Sequence, residues 1–151
     1  MKIAIIKKVF ILVISLVVLT GCVGVVKAPP ALDAKAKEFK PDPATSQVYV
    51  YRNETLGGAI AMDITVDGKL AGETGPNSYF KFNLPAGEHT IRSQGDQSVL
   101  KLVTQLGKLY FVWQEVKMGF FSANSELKLV SEADGKLGVM ESVLIDSSVG
   151  K

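Results

Sequence analysis

Cys22 and His89 are the only cysteine and the only histidine in this 151-residue chain, and they are the side chains best suited to chemistry near neutral pH. His89 is the one conventional general base. Asp96 and Ser98 follow it closely, so acid, base and hydroxyl, the parts of a hydrolytic triad, lie within a short stretch. No strand–turn–helix nucleophile pattern frames Ser98, however. A histidine at a turn-to-strand junction is expected instead to donate a ring N–H to a backbone carbonyl. A tethered hydrolase using His89 stands as an alternative. Cys22 has no partner for an intramolecular disulfide. An odd cysteine implies a reactive thiol, an intermolecular bridge or a modified residue.

Other constellations are weaker. Asp63 and Asp67 lie four apart on one face of a predicted strand, whereas a Ca²⁺ loop sets its ligands at alternate positions. With no second histidine and no further thiol, no metal site and no cofactor are expected. The glycines form neither a phosphate-binding nor a dinucleotide-binding pattern. Arg52 is expected to pair at the surface with a carboxylate such as Glu54 or Asp63. Tyr49 and Tyr51 share a face of one predicted strand. If they and Tyr79 point outward they make an aromatic platform for a glycan or a protein; filling a core is the competing role. Met118-Gly119-Phe120-Phe121 is apolar where a loop is expected, so Phe120 and Phe121 are a second candidate contact or a cover for the core.

The first residues explain the cysteine. Lys2, Lys7 and Lys8 precede the apolar run Val9–Thr20 (VFILVISLVVLT), and Gly21 supplies a small residue before Cys22. This order is that of a secretory signal. The boundary Leu19-Thr20-Gly21-Cys22 resembles the bacterial lipobox. The resemblance implies cleavage between Gly21 and Cys22 and covalent lipid on Cys22. The uncharged stretch Val9–Val26 also admits an uncleaved membrane anchor, although Gly21 and Gly24 weaken such a helix. The leader carries three of the 17 Lys+Arg and none of the 15 Asp+Glu, so the chain beyond it is slightly acidic. Nothing there points to nucleic acid.

Residues 22–46 contain Pro29, Pro30, Pro41 and Pro43 with little apolar periodicity, and read as a lipidated cysteine followed by a flexible linker. As a coil it would span roughly 25–30 Å. From Gln47 the period changes to two. Val48–Tyr51, Ile60–Asp67, Tyr79–Leu84, His89–Ser93, Leu100–Leu106 and Leu109–Val116 read as strands. Asp67-Gly68 supplies a two-residue hairpin turn, and Pro85–Glu88 another turn. Leu127–Val130, a turn at Asp134-Gly135 and Leu137–Met140 suggest a last hairpin; Ser142–Ile145 is a strand end or a short helix. No helical period stands out. Residues 47–151 are therefore expected to form an all-β antiparallel sandwich or partial barrel.

Tyr49-Val50-Tyr51-Arg52, Val66-Asp67-Gly68, Ser78-Tyr79-Phe80, Pro85-Ala86-Gly87-Glu88-His89-Thr90 and Tyr110-Phe111-Val112 resemble the small bacterial lipoproteins known as domain of unknown function 2846. The likeness spans about residues 46–116. It implies an antiparallel β fold behind a lipoprotein leader and transfers no catalytic residue. The resulting expectation is a non-enzymatic lipoprotein of the bacterial envelope. It would be held to membrane lipid through Cys22 and would engage an envelope protein or the cell wall. Val23, not acidic, favours the periplasmic face of an outer membrane by resemblance to enterobacterial sorting. A surface subunit that self-associates through strand edges is a third possibility.

Overall fold

Val48-Tyr49-Val50-Tyr51 alternates aliphatic and aromatic side chains, and a strand sends alternate side chains to opposite faces. Here both faces are covered, and every residue of that strand is buried. A computed structural model, which describes residues 25–55, 60–95, 98–119 and 123–150, shows why. The strand lies near the middle of a three-layer stack: a small sheet, a large sheet and two short helices.

In chain order the elements are α1 (Pro30–Ala36), β1 (Ser46–Arg52), β2 (Met62–Val66), β3 (Lys69–Thr74), β4 (Ser78–Leu84), β5 (Gly87–Arg92), β6 (Val99–Thr104), β7 (Leu109–Met118), β8 (Ala123–Val130), α2 (Glu132–Met140) and β9 (Val143–Leu144). The large sheet runs β8-β7-β1-β4-β9 and the small one β3-β2-β5-β6. This is the expected sandwich, with no closed barrel. Most pairings are antiparallel, but β1 pairs parallel with β7 and β4 with β9.

Between the sheets lies an aliphatic core with phenylalanine. Val48, Val50, Phe80, Phe82 and Val112 from the large sheet meet Ile64, Val66, Ile91 and Leu102 from the small one. Register follows from period two: a slip by one residue would move these side chains to the opposite face. Asp67 and Gly68 both take positive φ (51° and 77°), the conformation a tight hairpin turn demands, and Val66 pairs with Lys69 across it.

The segment expected to be a linker is folded from Val25 on. Ala28 N–H donates to the Leu144 carbonyl (2.9 Å), Lys27 bridges to Ile145, and α1 lies against the large sheet. Pro30, whose type suggests a tether, stands at the start of the helix, where its missing N–H costs nothing and its fixed φ fits. The expected last hairpin is also corrected. After β8 the chain forms α2, because Ser131 caps it: Ser131 Oγ accepts the Asp134 N–H. Ser142–Ile145 contributes β9, beside β4.

Candidate functional site

The expected aromatic platform exists as one face but not as an open one. Tyr49, Tyr51 and Tyr79 project from the outer face of the large sheet together with Phe111, and α1 and α2 cover them. Left to water, such a face would be a large exposed apolar patch, which the helices close. The Tyr49 ring stacks on Phe111 (5.1 Å between centroids) and on Tyr79 (6.1 Å), and Phe39, just after α1, packs edgewise on Phe111. A β-carbon at Gly135 would collide with Phe111 and one at Gly138 with the Tyr51 ring, so α2 reaches the sheet only because both are glycine.

Two of the three tyrosine hydroxyls are spent holding the helices down. Tyr49 donates to the Ala36 carbonyl at the end of α1 (2.9 Å), and Tyr79 donates to Asp33 Oδ1 (2.8 Å). Asp33 also accepts the Leu144 N–H (2.9 Å) and the Lys37 ammonium (2.9 Å). Burial opposes ionisation of Asp33, but these bonds outweigh it and hold its carboxyl below the usual range. Burial pushes the Tyr49 and Tyr79 hydroxyls far above the ordinary phenol value.

Tyr51 differs. Only 4 % of it is exposed, yet among the described residues its hydroxyl has no hydrogen-bond partner. It lines a groove of about 370 Å³ between α2 and the β1–β7 pair, where Tyr51 and Trp113 are direct neighbours across the parallel register. Leu137, 66 % exposed, and Val130 make its apolar walls; Asp134 and Glu141, two helical turns apart, put carboxylates on its rim. Those carboxylates hold neutral partners: Ser131 Oγ donates to Asp134 (2.6 Å) and Asn53 Nδ2 donates to Glu141 (2.7 Å). Burial raises the Tyr51 pKa, and the Asp134 and Glu141 charges add to the rise. The groove is thus an aromatic floor under negative potential. Tyr51 was legible as a candidate, whereas Trp113, Asp134 and Glu141 were not. The Ser131-x-x-Asp134 capping pattern was the signal that would have placed the acids on a helix.

His89 sits elsewhere, on β5. Its Nδ1–H donates to Asp67 Oδ2 (2.7 Å) and its Nε2–H to the Pro85 carbonyl (3.0 Å), the expected backbone contact. Both partners only accept, so both nitrogens donate, as they do in the protonated ring. Burial pulls the His89 pKa down, but the Asp67 bond and then the Pro85 bond outweigh it and raise it. While protonated and held in this way, the ring has no lone pair to offer as a base. Ser98 is occupied with the Gln94 carbonyl and Ser125. Its neighbour Val99 pairs with Arg92, three residues along β5 from His89, roughly 10 Å away. Asp96, Gly21, Cys22, Phe120 and Phe121 lie outside the described residues.

Arg52, expected at the surface, is buried at one end of the sandwich. Nη1 donates to the Ile60 carbonyl (2.7 Å), and burial lowers its pKa while the nearby Glu54 charge opposes the fall. A larger cleft of about 430 Å³ runs between α1, β4 and the C-terminal segment, but Lys35, Lys81 and Asp146 line it with charges of both signs. Among the described residues no group of three metal-ligating side chains occurs, and no helix is long and apolar enough to cross a membrane.

Residues 42–126 match the family described as Protein of unknown function (DUF2846), and the chain belongs to that family. It is 35% identical over 124 residues to an uncharacterized protein of Haemophilus influenzae, an alignment covering 80% of this chain and 74% of that one. No solved structure matches. The match to the family ends before α2, so the helix that walls the groove is outside it.

Proposed function

We propose that this family member is a lipid-anchored bacterial envelope lipoprotein whose β domain is a non-enzymatic binding module working at the membrane surface. The observation that carries the reading is the course of the chain behind the leader, which is built into the fold from Val25 on. With lipid on Cys22, three Cα–Cα steps separate the anchored residue from Val25, a reach of about 11 Å at full extension. At ~0.8 kcal/mol per buried CH₂, two or more acyl chains make such attachment lasting. Val26, 74 % exposed, and Leu70, 55 % exposed, line one shallow depression where the chain enters the fold, as suits an end resting on lipid. Val23 favours the periplasmic face of the outer membrane.

The binding role is supported by what the side chains are free to do. The only histidine is tied on both nitrogens, while the groove by Tyr51 holds aromatic and acidic groups with spare capacity. The partner is another envelope component, protein or cell wall.

Cells fed an alkyne-tagged palmitate test the anchor. Wild type should take up label and sediment with membranes, and Cys22→Ala should remain unlabelled precursor. A Cys22→Ala chain processed and acylated normally overturns the lipoprotein reading. For the module, a photo-crosslinker at Leu137 on the groove should give a saturable envelope adduct. One at Val103, exposed on the opposite sheet, should not. Equal adducts from both positions would remove the case for a binding face.

A further inference from the structure

We propose that the groove between α2 and the β1–β7 pair is a receptor for a lysine side chain presented by a polypeptide partner. The inference deepens the binding-module reading and rests on it for the setting in which the ligand is met.

Three independent features converge there. The first is charge. Asp134 and Glu141 face the groove, and among the described residues neither meets a cation. The nearby lysines pair with other carboxylates: Lys128, beside Trp113, lies between Glu115 and Glu126, and Lys136 pairs with Glu132. The second is the floor. Tyr51 and Trp113 offer ring surface to which an ammonium is drawn, and Trp113 already attracts one, with Lys128 Nζ 5.5 Å from its ring centre. The third is the vacant hydroxyl of Tyr51. The Tyr51 ring is buried, but its oxygen opens on the groove and bonds no described residue. Here it is left to the groove, beneath the two carboxylates, and an incoming ammonium would supply its donor.

The walls choose among cations. Leu137 and Val130 give an aliphatic channel above the rings, suited to a four-carbon stem rather than a bare inorganic ion. The volume, about 370 Å³, is at the small end of ligand sites and admits a single side chain with its adjoining backbone. Leu137 and Met140, 66 % and 57 % exposed on α2, offer apolar surface to the partner's neighbouring residues.

Trp113 is the only tryptophan in the chain, so its emission reports on the groove directly. The full chain, in detergent micelles, is titrated with N-acetyl-lysine methylamide, with the norleucine analogue that lacks the amine, and with pentane-1,5-diamine. The lysine amide should shift Trp113 emission saturably, with roughly millimolar affinity for so small a probe. The norleucine analogue should give no saturable shift. Asp134→Asn combined with Glu141→Gln should weaken the lysine amide about tenfold or more, without altering the melting temperature beyond the small changes usual at exposed sites. Leu137→Lys, which leaves both acids in place but fills the groove with an ammonium of the chain's own, should abolish the response.

An equal response to lysine and norleucine overturns the proposal, as does an unchanged affinity in the double variant. Saturable binding of the diamine without the lysine amide overturns the polypeptide source. None of these results touches palmitate labelling or the crosslink pattern, so this inference can fail while the anchored module stands.

Discussion

The two faces of the large sheet are sealed in different ways. Toward the small sheet, Val48, Val50, Val112, Phe80 and Phe82 interlock with aliphatic side chains, and the buried Gln114 bonds Thr74 and Ser93 across the layer. Toward the helices, Tyr49, Tyr51, Tyr79 and Phe111 are covered by short elements that touch them through alanine and glycine, pinned by hydroxyls. The inner face is held mainly by area and shape, which is non-directional and forgiving of detail. The outer face is held by a few directed bonds and two close approaches. Where those bonds end, at Tyr51, the covering ends too and the groove begins. A face closed by directed contacts can leave a defined opening at its edge; a face closed by packed aliphatics has no such place.

The contrast can be broken in order of effect. Phe80→Ala, between the sheets, should cost about 3–5 kcal/mol and lower the whole unfolding transition seen by far-UV circular dichroism. Gly138→Val should cost about 2–3 kcal/mol by forcing α2 off the Tyr51 ring. Its signature should be a change in near-UV dichroism and Trp113 emission with the β signal retained. If it instead melts both sheets together, the outer layer is not separable from the sandwich. Tyr79→Phe removes a bond to a charged acceptor and should cost about 1–2 kcal/mol in urea denaturation. Tyr51→Phe, chemically the same change two strand positions from Tyr49, should stay within about 0.5 kcal/mol, because its hydroxyl bonds none of the described residues. Equal costs for the two would show that the Tyr51 hydroxyl has a partner.

The smallest electrostatic effect lies away from both faces. His89 has a raised pKa in the fold, so its contribution is complete below its unfolded value of about 6.5 and is lost as pH rises through the folded value. Burial opposes ionisation of Asp67, but its bonds to His89 and the Thr90 N–H outweigh this and lower its pKa. Its contribution is present above an unfolded value of about 3.9 and is lost as pH falls through the folded one. The pair therefore stabilises most between about pH 4 and 6.5. With Asp67 partly exposed, Asp67→Asn should cost no more than about 1 kcal/mol there and less at either side. A difference in melting temperature that stays flat from pH 4 to 9 would remove the ion pair from the account.

How much of this was legible depended on which face an element uses. β1, the β2–β3 hairpin and β4 announce themselves because their inward side chains are large, apolar and spaced by two. The helices do not, because they meet the sheet through Ala36, Gly135, Gly138 and Val139, side chains too small to write an apolar stripe into the sequence. Their starts were nonetheless encoded locally, by Pro30 at the first helical position and by Ser131 with Asp134. The parallel pairing of β1 with β7 brings together residues about sixty positions apart, and no local pattern carries it. The groove inherits that difficulty. Tyr51 could be suspected from its strand, but its neighbour Trp113 comes from the distant strand and its acids from the unread helix.

The docked segment ahead of β1 also sets how the chain would respond to force. Any load between a membrane anchor and the domain would enter at Val25 and reach the body first through the bond from Asp146 N–H to the Val26 carbonyl, then through the Lys27–Ile145 bridge, the Ala28–Leu144 bond and the Leu144–Asp33 bond. These attach to β9, a two-residue strand at the edge of the large sheet, and not to its centre. Under tension the chain would give way here by peeling, one bond at a time, long before the sandwich sheared. What yields first is the strap that hides Tyr49 and Tyr79, so a pulled molecule would lengthen its leash and uncover aromatic surface in the same motion.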